Sequence, residues 1–409
     1  MIDAARILER CDALAHCTEL AGGLTRMYLS KAHRQASQLA LAWMREAGMS
    51  ARMDAAGNVV GRYEAASPGA RCLMLGSHLD TVRDAGIFDG MLGVVTAIEC
   101  VAALRASGRR LEHAVEVLGF ADEEGVRFGA TLLGSRAVAG TFDRAALELR
   151  DDTGTTMREA MKAFGLDPEA LAQAARRREE VLAYVELHIE QGPVLEAENL
   201  PVGVVTAING FTRLSVRLRG EAGHAGTVPM ALRRDAFAAA AESAIAVERI
   251  AKSDADLVAT IGRIKVQPGA INVIPGEAEF TVDLRSPIDS KRENACAALV
   301  EEIGSVAKRR RVDLHVERLQ DHGATPCAAW VVNQIGRAVA AEGLPVRRLA
   351  SGAGHDGIAM RAIADVGMLF VRCKGGVSHS PAESITEADA GTGARILLRF
   401  IEHFSPGTT

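Results

Sequence analysis

The chain has 409 residues, of which 48% are hydrophobic and 24% are charged, a composition typical of ordinary globular proteins. This length is sufficient for two domains. The formal net charge of −5 is small for such a chain and argues against a general polyanion binder. Aromatic residues, at 4%, are too sparse for a surface that stacks single-stranded nucleic acid. We therefore expect no nucleic-acid partner.

The cysteine pattern and the first residues indicate a cellular location. The seven cysteines are scattered and form no CxxC pair, which suits a reducing compartment. The segment MIDAARILER carries charges where a signal peptide needs an apolar core. No apolar run approaches the roughly 18 residues that a transmembrane helix requires. We expect a cytoplasmic protein without a membrane partner.

Helices and strands alternate along the first half of the chain. Leu and Ala at helical spacing predict helices within residues 3–48. A strand from Cys72, a polar loop and the helical segment GVVTAIECVAALRASG follow, and AVEVLGFA (114–121) predicts the next strand. A charged helical insertion at about 154–180 precedes the strand and loop VLAYVELHIEQG. This alternation predicts an α/β fold with a mostly parallel sheet.

The pattern changes at about Ile208. The segment FTRLSVRLRG alternates apolar and polar residues, and the elements that follow give the order β-α-β-β-α-β, as in a ferredoxin-like α+β domain. The chain then returns to helix, strand, the segment SGAGHDGIAM, the strand GMLFVRC and a final helix. We therefore predict a catalytic domain of residues 1–207 plus 326–409, with residues 208–325 inserted between its halves.

Polar residues follow the predicted strands of the first domain. The carboxyl ends of sheet strands are where α/β proteins place their sites. Imidazoles and carboxylates suit Zn²⁺ or Mn²⁺, and the thiolates of a structural zinc site are missing from this set. The candidates are His78 with Asp80, Asp89, the run Asp122-Glu123-Glu124, His188 with Glu190 and Gln191, and His379 in VSHSP.

The spacing of these residues suggests separate roles. His78 and Asp80 point to the same side of an extended segment, so the carboxylate can orient a metal-bound imidazole. Asp89 has two oxygens and can bridge two ions about 3.5–4 Å apart. Glu123 and Glu124 cannot both face one ion well, so one can ligate while the other acts as general base. The residue types leave open which of these two glutamates is the ligand and which is the base.

The alternative interpretation is structural. A single histidine after a strand is more often a satisfied polar residue than a ligand, and DEE is commonly a solvated turn. The metal site is favoured because five such features all follow strands. The other histidines fall in helical or alternating patterns and are interpreted as structural: His16, His33, His113, His315, His322 and His403.

A set of motifs in one order gives the chain a family resemblance. The motifs are GSHLDTV, FDG, FADEEGVRFG, ELHIEQGPVLE, GEAGHAGTVPM, GAINVIPG, DLRSP, SGAGHD and VSHSPAE. As a set they resemble the dinuclear-metal amidohydrolases of the M20 peptidase clan, in the branch of N-carbamoyl-L-amino acid hydrolases and allantoate amidohydrolases. HLD and DEE alone would be shared with aminopeptidases of the clan.

The resemblance implies roles for the residues of the first domain. It makes His78 and Glu124 terminal ligands of two different ions, with Asp89 as the bridge. Two further ligands, His188 and His379, complete the set. The ions would be Zn²⁺ or Mn²⁺, with Co²⁺ or Ni²⁺ as alternatives. Two catalytic residues are implied as well: Glu123 as general base and Asp80 as the partner of His78.

The resemblance also implies substrate-binding residues and a homodimer. In the inserted lid and dimerisation domain, His224 would stabilise an oxyanion, and Asn272 and Arg285 would clamp a substrate carboxylate. All three would reach the active site of the partner subunit. The substrate pocket would further be lined by Gln191, Gly354 and His355.

These implications predict hydrolysis of the terminal carbamoyl C–N bond of a small ureido carboxylate. Allantoate is the first choice, because GSHLDTVRDAG and VGVVTAINGFTR resemble bacterial allantoate amidohydrolases most. An N-carbamoyl-L-amino acid or N-carbamoyl-β-alanine is the alternative. An exopeptidase of the same clan and a non-catalytic binding protein are disfavoured. Ile87 and Gly357 depart from the family pattern, and both would alter the substrate pocket.

Overall fold

A computed structural model describes residues 2–407 and divides the chain into two compact units. One unit runs to Thr206 and resumes at Pro326, and the other is Ala207–Thr325. The predicted boundaries differ from these by at most one residue. Among residues 2–407, no helix combines the length and the apolarity needed to cross a membrane.

Fifteen strands occur among the described residues. In chain order they are β1 (Ser50–Met53), β2 (Val59–Tyr63), β3 (Cys72–His78), β4 (Ala114–Phe120), β5 (Val181–Ile189), β6 (Val202–Ile208), β7 (Gly210–Arg219), β8 (Gly223–His224), β9 (Val258–Gln267), β10 (Val273–Ile274), β11 (Glu277–Ser286), β12 (Asp313–His322), β13 (Thr325–Pro326), β14 (Arg348–Ser351) and β15 (Val366–Val371).

Eleven α-helices occur in the same part of the chain, besides several short 3₁₀ segments. They are α1 (Ala4–Ala15), α2 (Lys31–Glu46), α3 (Met91–Ala106), α4 (Leu133–Val138), α5 (Met157–Ala163), α6 (Val194–Ala197), α7 (Ala236–Ala251), α8 (Asp289–Arg310), α9 (Ala329–Ala341), α10 (Gly357–Met360) and α11 (Glu387–Glu402).

The central sheet of the first unit is mixed, which corrects the prediction of a mostly parallel sheet. Its strand order is β1-β2-β4-β3-β5-β15-β6-β13, with β14 beside β6. The four central strands β4, β3, β5 and β15 are parallel, whereas β2 and β6 pair with them antiparallel. The antiparallel strands lie outside the four parallel ones, and segments as short as β1 and β2 carry little periodic signal.

The charged insertion is also different from its prediction as one helical segment. Its α-helix, α5, covers only Met157–Ala163. Gly165 has a φ of +81°, which ends the helix, and Pro168 begins a separate 3₁₀ segment. A positive φ and a proline both stop helix propagation.

The four parallel strands explain where polar residues gather. Strands β3, β4 and β15 are buried along their whole length, as expected for strands covered on both faces. His78 at the end of β3 pairs with Phe120 at the end of β4, and His188 in β5 pairs with Phe370 in β15. The carboxyl ends of neighbouring strands therefore lie together at one edge of the sheet.

Two glycines allow α3 to start close to this edge. Gly90 has a φ of +74°, and a Cβ on it would overlap the ring of His78. Gly93, in the first turn of α3, lies against the backbone of β5, where a Cβ would overlap the carbonyl oxygen of Leu187. Asp89 directly precedes Gly90, so this close packing fixes its position beside β3 and β5.

The second unit contains the predicted order of elements. Strands β7, β9, β11 and β12 form an antiparallel sheet in the order β12-β7-β11-β9. Residues of β7 and β11 alternate between buried and partly exposed, and the buried ones pack with α7 and α8 in one apolar core. Strands β8 and β10 form an additional short ladder that the sequence did not indicate. The role of this unit in dimerisation stays a prediction.

Substituting Gly93 with alanine tests the packing of α3. The added methyl group must push α3 away from β5, so we expect the free energy of unfolding to fall by about 1–3 kcal/mol. Gly304→Ala is the control, because Gly304 is also helical and its nearest neighbour would be 4.0 Å from the new Cβ. Urea denaturation should show no loss of unfolding free energy for the control. Equal stability of the two variants would contradict the close packing of α3 against β5.

Candidate metal centre

Asp89 lies at the centre of the candidate site and is 4% exposed. Its Oδ1 atom is 3.3 Å from Nε2 of His78 and 3.2 Å from Nε2 of His188. Its Oδ2 atom is 3.2 Å from Nε2 of His379, which is itself 3.5 Å from Oε1 of Glu124. Each oxygen of one carboxylate therefore faces a different set of side chains.

These contacts make two groups of potential ligands that share Asp89. In each group the ligand atoms lie within 4.8 Å of one another. Imidazole nitrogen and carboxylate oxygen are donors that Zn²⁺ and Mn²⁺ accept, so the residues present fit divalent ions. The groups are His78–Asp89–His188 and Asp89–Glu124–His379, and all five predicted ligands belong to them. His78 also groups with Glu123 and Glu124.

The strand ends orient the two buried imidazoles. His78 Nδ1 lies 3.0 Å from the carbonyl oxygen of Asp80, and His188 Nδ1 lies 2.9 Å from that of Ile189. A carbonyl oxygen can only accept, so it favours the tautomer with a proton on Nδ1. The Nε2 atoms then face Asp89 as potential metal ligands, and that of His188 also accepts the backbone N–H of Gly90 at 3.2 Å.

Asp80 has a contact that the sequence did not indicate. Its Oδ1 atom is 3.6 Å from Nδ1 of His78, so the imidazole is held at closer range by the carbonyl oxygen of Asp80 than by the carboxylate that the sequence suggested. The same carboxylate accepts the backbone N–H of Glu123 at 2.9 Å and that of Glu124 at 3.1 Å. Asp80 thus fixes both His78 and the backbone of the acidic pair. This role depends on β3 lying beside β4.

The pKa values reflect many acidic groups in a small buried volume. Burial, with the charge of Glu124 added, raises the pKa of Glu123 well above its usual range. Burial also raises the pKa of Glu124 to about 7, with Asp89 adding to the shift and His78 opposing it. Burial would raise the pKa of Asp89 too, but His188, His379 and His78 outweigh it and hold that pKa far below its usual range. Divalent cations would stabilise the ionised carboxylates.

The predicted pocket residues of the first unit lie around this centre. Nε2 of Gln191 donates to Oδ2 of Asp89 at 2.8 Å, while its buried Oε1 has no hydrogen-bond partner within residues 2–407. A Cβ on Gly354 would lie 3.7 Å from Oε1 of Glu123. His355 is 1% exposed, and its ring centroid is 4.6 Å from that of His188, so it lies behind a ligand instead of on an open surface.

Glu186 is a buried residue that the sequence analysis missed. It is 0% exposed in β5 and accepts hydrogen bonds from Ser77 Oγ at 2.8 Å and from the Tyr184 hydroxyl at 3.0 Å. With His188 and His355 it forms a further group of possible ligands. The available signal was a charged residue inside the apolar strand YVELHI.

The second unit holds the remaining three predicted residues in two separate places. His224 pairs with Val273 in the short ladder, directly beside Asn272, and both predicted residues are exposed. Arg285 lies near the other end of β11, where it pairs with Phe211. Glu277, at the start of β11, follows the short ladder residue Ile274 by three residues. From Glu277 to Arg285 the strand extends about 26 Å, since a strand rises by roughly 3.3 Å per residue.

This separation argues against Asn272 and Arg285 of one copy clamping one small carboxylate together, and the binding roles of both residues stay predictions. A small carboxylate cannot contact both ends of the sheet. The guanidinium of Arg285 is instead held by Asp283, with contacts of 2.7 and 3.0 Å. The sequence motif DLRSP contains both partners but does not reveal this pairing.

Comparison with known proteins gives one family and close relatives. Residues 74–403 match the family described as Peptidase family M20/M25/M40. The chain is 44% identical to the N-carbamoyl-L-amino acid amidohydrolase of Geobacillus stearothermophilus over 100% of both chains. It is 42% identical to a probable allantoate deiminase of Oryza sativa subsp. japonica, covering 96% of this chain and 87% of the relative.

A solved structure of similar fold is an amidase of the hydantoinase/carbamoylase family from Burkholderia multivorans. The TM-score is 0.92 at 32% sequence identity, covering 98% of this chain and 97% of that chain.

The pKa shifts predict how the stability of metal-free protein depends on pH. Nearby carboxylates outweigh burial and raise the pKa of His78 and His188, and Asp89 raises that of His379 against burial. The resulting stabilisation is complete below the unfolded pKa of about 6.5 and is lost as pH rises through the higher folded pKa values. The raised carboxyl pKa values also make stability fall as pH rises, since the folded protein binds more protons than the unfolded chain.

Thermal unfolding of chelator-treated protein should therefore show a lower Tm at about pH 8.5 than at about pH 6.5. Mn²⁺ binds deprotonated ligands, so adding it should raise the Tm more at the higher pH. The double variant His188→Ala/His379→Ala is the control and should lose most of the response to Mn²⁺. A metal-free Tm that rises over this pH range would contradict the pKa shifts.

Proposed function

The chain belongs to peptidase family M20/M25/M40, and on this premise we propose that it is a dinuclear-metal amidohydrolase that removes the terminal carbamoyl group of a small ureido carboxylate. The observation that carries the proposal is Asp89, whose two oxygens face two groups of divalent-metal ligands beside Glu123. The names of the relatives supply the ureido chemistry, because they include both N-carbamoyl-L-amino acid amidohydrolases and allantoate deiminases.

The residues of the centre would either hold an ion or transfer a proton. His78, Asp89 and His188 would hold one ion, and Asp89, Glu124 and His379 the other. Bound ions would polarise the ureido carbonyl and lower the pKa of the attacking water. The side chain of Glu123 would take a proton from that water and return it to the leaving nitrogen as the carbonyl C–N bond breaks.

The surroundings of Glu123 suit proton transfer. Its backbone N–H donates to Asp80 at 2.9 Å, so the backbone that carries the acid does not depend on an ion for its position. Burial and the charge of Glu124 raise its pKa above the usual range, which strengthens the carboxylate as a base. Gly354 has no side chain and so leaves room beside the carboxyl group.

Allantoate is the substrate that we propose first, on the resemblance of GSHLDTVRDAG and VGVVTAINGFTR to bacterial allantoate amidohydrolases. N-Carbamoyl-L-amino acids are the second candidate, favoured by the 44% identity to a relative of that name over the whole of both chains. Both substrates present a ureido group and a carboxylate, so the same centre serves either.

A product assay distinguishes these substrates. Purified protein loaded with Mn²⁺ is incubated with allantoate, a panel of N-carbamoyl-L-amino acids, N-carbamoyl-β-alanine and a dipeptide panel, and the organic product is identified by mass spectrometry. Ammonia alone does not discriminate, because every ureido substrate releases it. We expect fastest turnover of allantoate to a ureidoglycine-type product. Cleavage of dipeptides without turnover of any ureido compound would contradict the proposal.

The resemblance implies a homodimer, and we propose how its two copies would share His224, Asn272 and Arg285. His224 and Asn272 lie at one end of the sheet of the second unit, and Arg285 lies at the other, where Ser286 pairs with Gly210. We infer that a complete site takes Arg285 from one copy and His224 with Asn272 from the other. The resemblance implies that His224 and Asn272 reach the active site of the partner subunit, so the copy that supplies Glu123 would also supply Arg285.

Mixing inactive variants tests this arrangement. Glu123→Gln should bind metal but lose activity by about 10²–10⁴-fold, because the base is missing. Co-expression of Glu123→Gln with His224→Ala should restore about a quarter of the unmodified activity, since half of the dimers are hybrids with one complete site. Co-expression of Glu123→Gln with Arg285→Ala is the matched control and should restore none.

Equal activity in the two co-expression experiments would mean that Arg285 and His224 come from the same copy, which would contradict the arrangement. A monomeric protein with full activity would contradict the dimer itself.

A further inference from the structure

Glu383 is a buried carboxylate that lies next to the metal centre and belongs to neither ligand group. It is 5% exposed and follows His379 by four residues in the motif VSHSPAE. Its Oε1 atom accepts the backbone N–H of Phe88 at 2.8 Å and that of Asp89 at 3.1 Å. Glu383 therefore connects the loop after β15 to the loop after β3, and each of these loops carries a proposed ligand.

The second oxygen of Glu383 makes a different contact. Oε2 lies 2.9 Å from the hydroxyl of Ser378, which also lies 2.8 Å from Oδ2 of Asp89. Ser378 can in addition accept a hydrogen bond from Nε2 of Gln191 at 3.1 Å. A serine hydroxyl has one proton, so it can donate to only one of the two carboxylates at a time.

This competition concerns the oxygen of Asp89 that faces His379 and Glu124. If Ser378 donates its hydrogen bond to Oδ2 of Asp89, that bond occupies a lone pair that a cation needs. If the proton is donated to Glu383, Oδ2 keeps that lone pair. Both oxygens of Glu383 must accept at once, one from the backbone and one from Ser378. Only a carboxylate has two acceptor oxygens in this position.

We propose that Glu383 is a positioning residue for the ion on the His379 side: one oxygen fixes the backbone of Asp89, and the other draws the Ser378 proton away from Asp89. The inference rests on the proposed function, because it requires a cation between Asp89, Glu124 and His379. It assigns Glu383 no contact with the ion or the substrate.

The loop opposite Glu383 is shaped around its side chain. A Cβ on Gly86 would overlap the carboxyl group and the Cβ atom of Glu383. The glycine in the segment DAGIFDG thus allows the carboxylate to reach the backbone of Phe88 and Asp89. Gly86→Ala should displace Glu383 without changing its charge, and so should weaken the same ion.

The test is the affinity for Mn²⁺, measured on metal-free full-length protein by electron paramagnetic resonance of free Mn²⁺. Glu383→Gln keeps the size of the side chain and one acceptor oxygen but leaves the Ser378 proton without its second acceptor. We expect one of two bound Mn²⁺ ions to weaken by about 10–100-fold, the effect typical of residues that orient metal ligands. Glu99→Gln, which alters another buried carboxylate in the same unit, is the control and should change neither ion.

Two further variants separate positioning from general damage to the fold. In a His379→Ala background only the His78–Asp89–His188 group remains, and Glu383→Gln should not alter its affinity. In a Ser378→Ala background no hydroxyl proton competes for Asp89, so Glu383→Gln should have a much smaller effect than in the unmodified protein. A merely structural role would weaken binding in every background.

Unchanged affinities in Glu383→Gln, equal weakening of both ions, or an undiminished effect in the Ser378→Ala background would each overturn the role of Glu383 while leaving the proposed function intact. No Mn²⁺ uptake by the unmodified protein is a distinct result, which would contradict the metal centre of the proposed function and the role of Glu383 together.

Discussion

One buried carboxylate, Asp89, imposes the constraint on which the rest of the site depends. Its two oxygens face three imidazoles, and the carboxylates of Asp80, Glu123 and Glu124 lie beside them. Ionised carboxylates at such density are costly without cations. The parallel strands, the close approach of α3 and the backbone contacts of Asp80 all serve to hold these groups at fixed distances. Divalent ions would turn this costly arrangement into a stable one.

The sequence predicted the residues of the site better than the contacts between them. The apolar strands β3, β4, β5 and β15 were visible as runs ending in polar residues, so the gathering of ligands at their carboxyl ends could be expected. The short antiparallel strands were not, because a few residues at a sheet edge carry little pattern. Contacts such as Asp80 with the backbone of Glu123, or Glu383 with Asp89, join distant segments and depend on strand order.

The second unit shows the same limit at a larger scale. Alternation of apolar and polar residues indicated its sheet and its order of elements. The motifs also indicated His224, Asn272 and Arg285 as residues of interest. Only the register of β7 with β11 shows that the first two lie far from the third. A motif identifies a residue, whereas the sheet decides which residues can bind the same substrate.

The most direct test of the central claim is a crystal structure of the Mn²⁺-loaded protein with anomalous scattering recorded at the manganese edge. We predict two anomalous peaks for each chain, one on either side of the Asp89 carboxylate. One peak should contact His78, His188 and Oδ1 of Asp89, and the other His379, Glu124 and Oδ2 of Asp89. A single peak, or a peak held instead by Glu186, His188 and His355, would contradict the bridging role of Asp89.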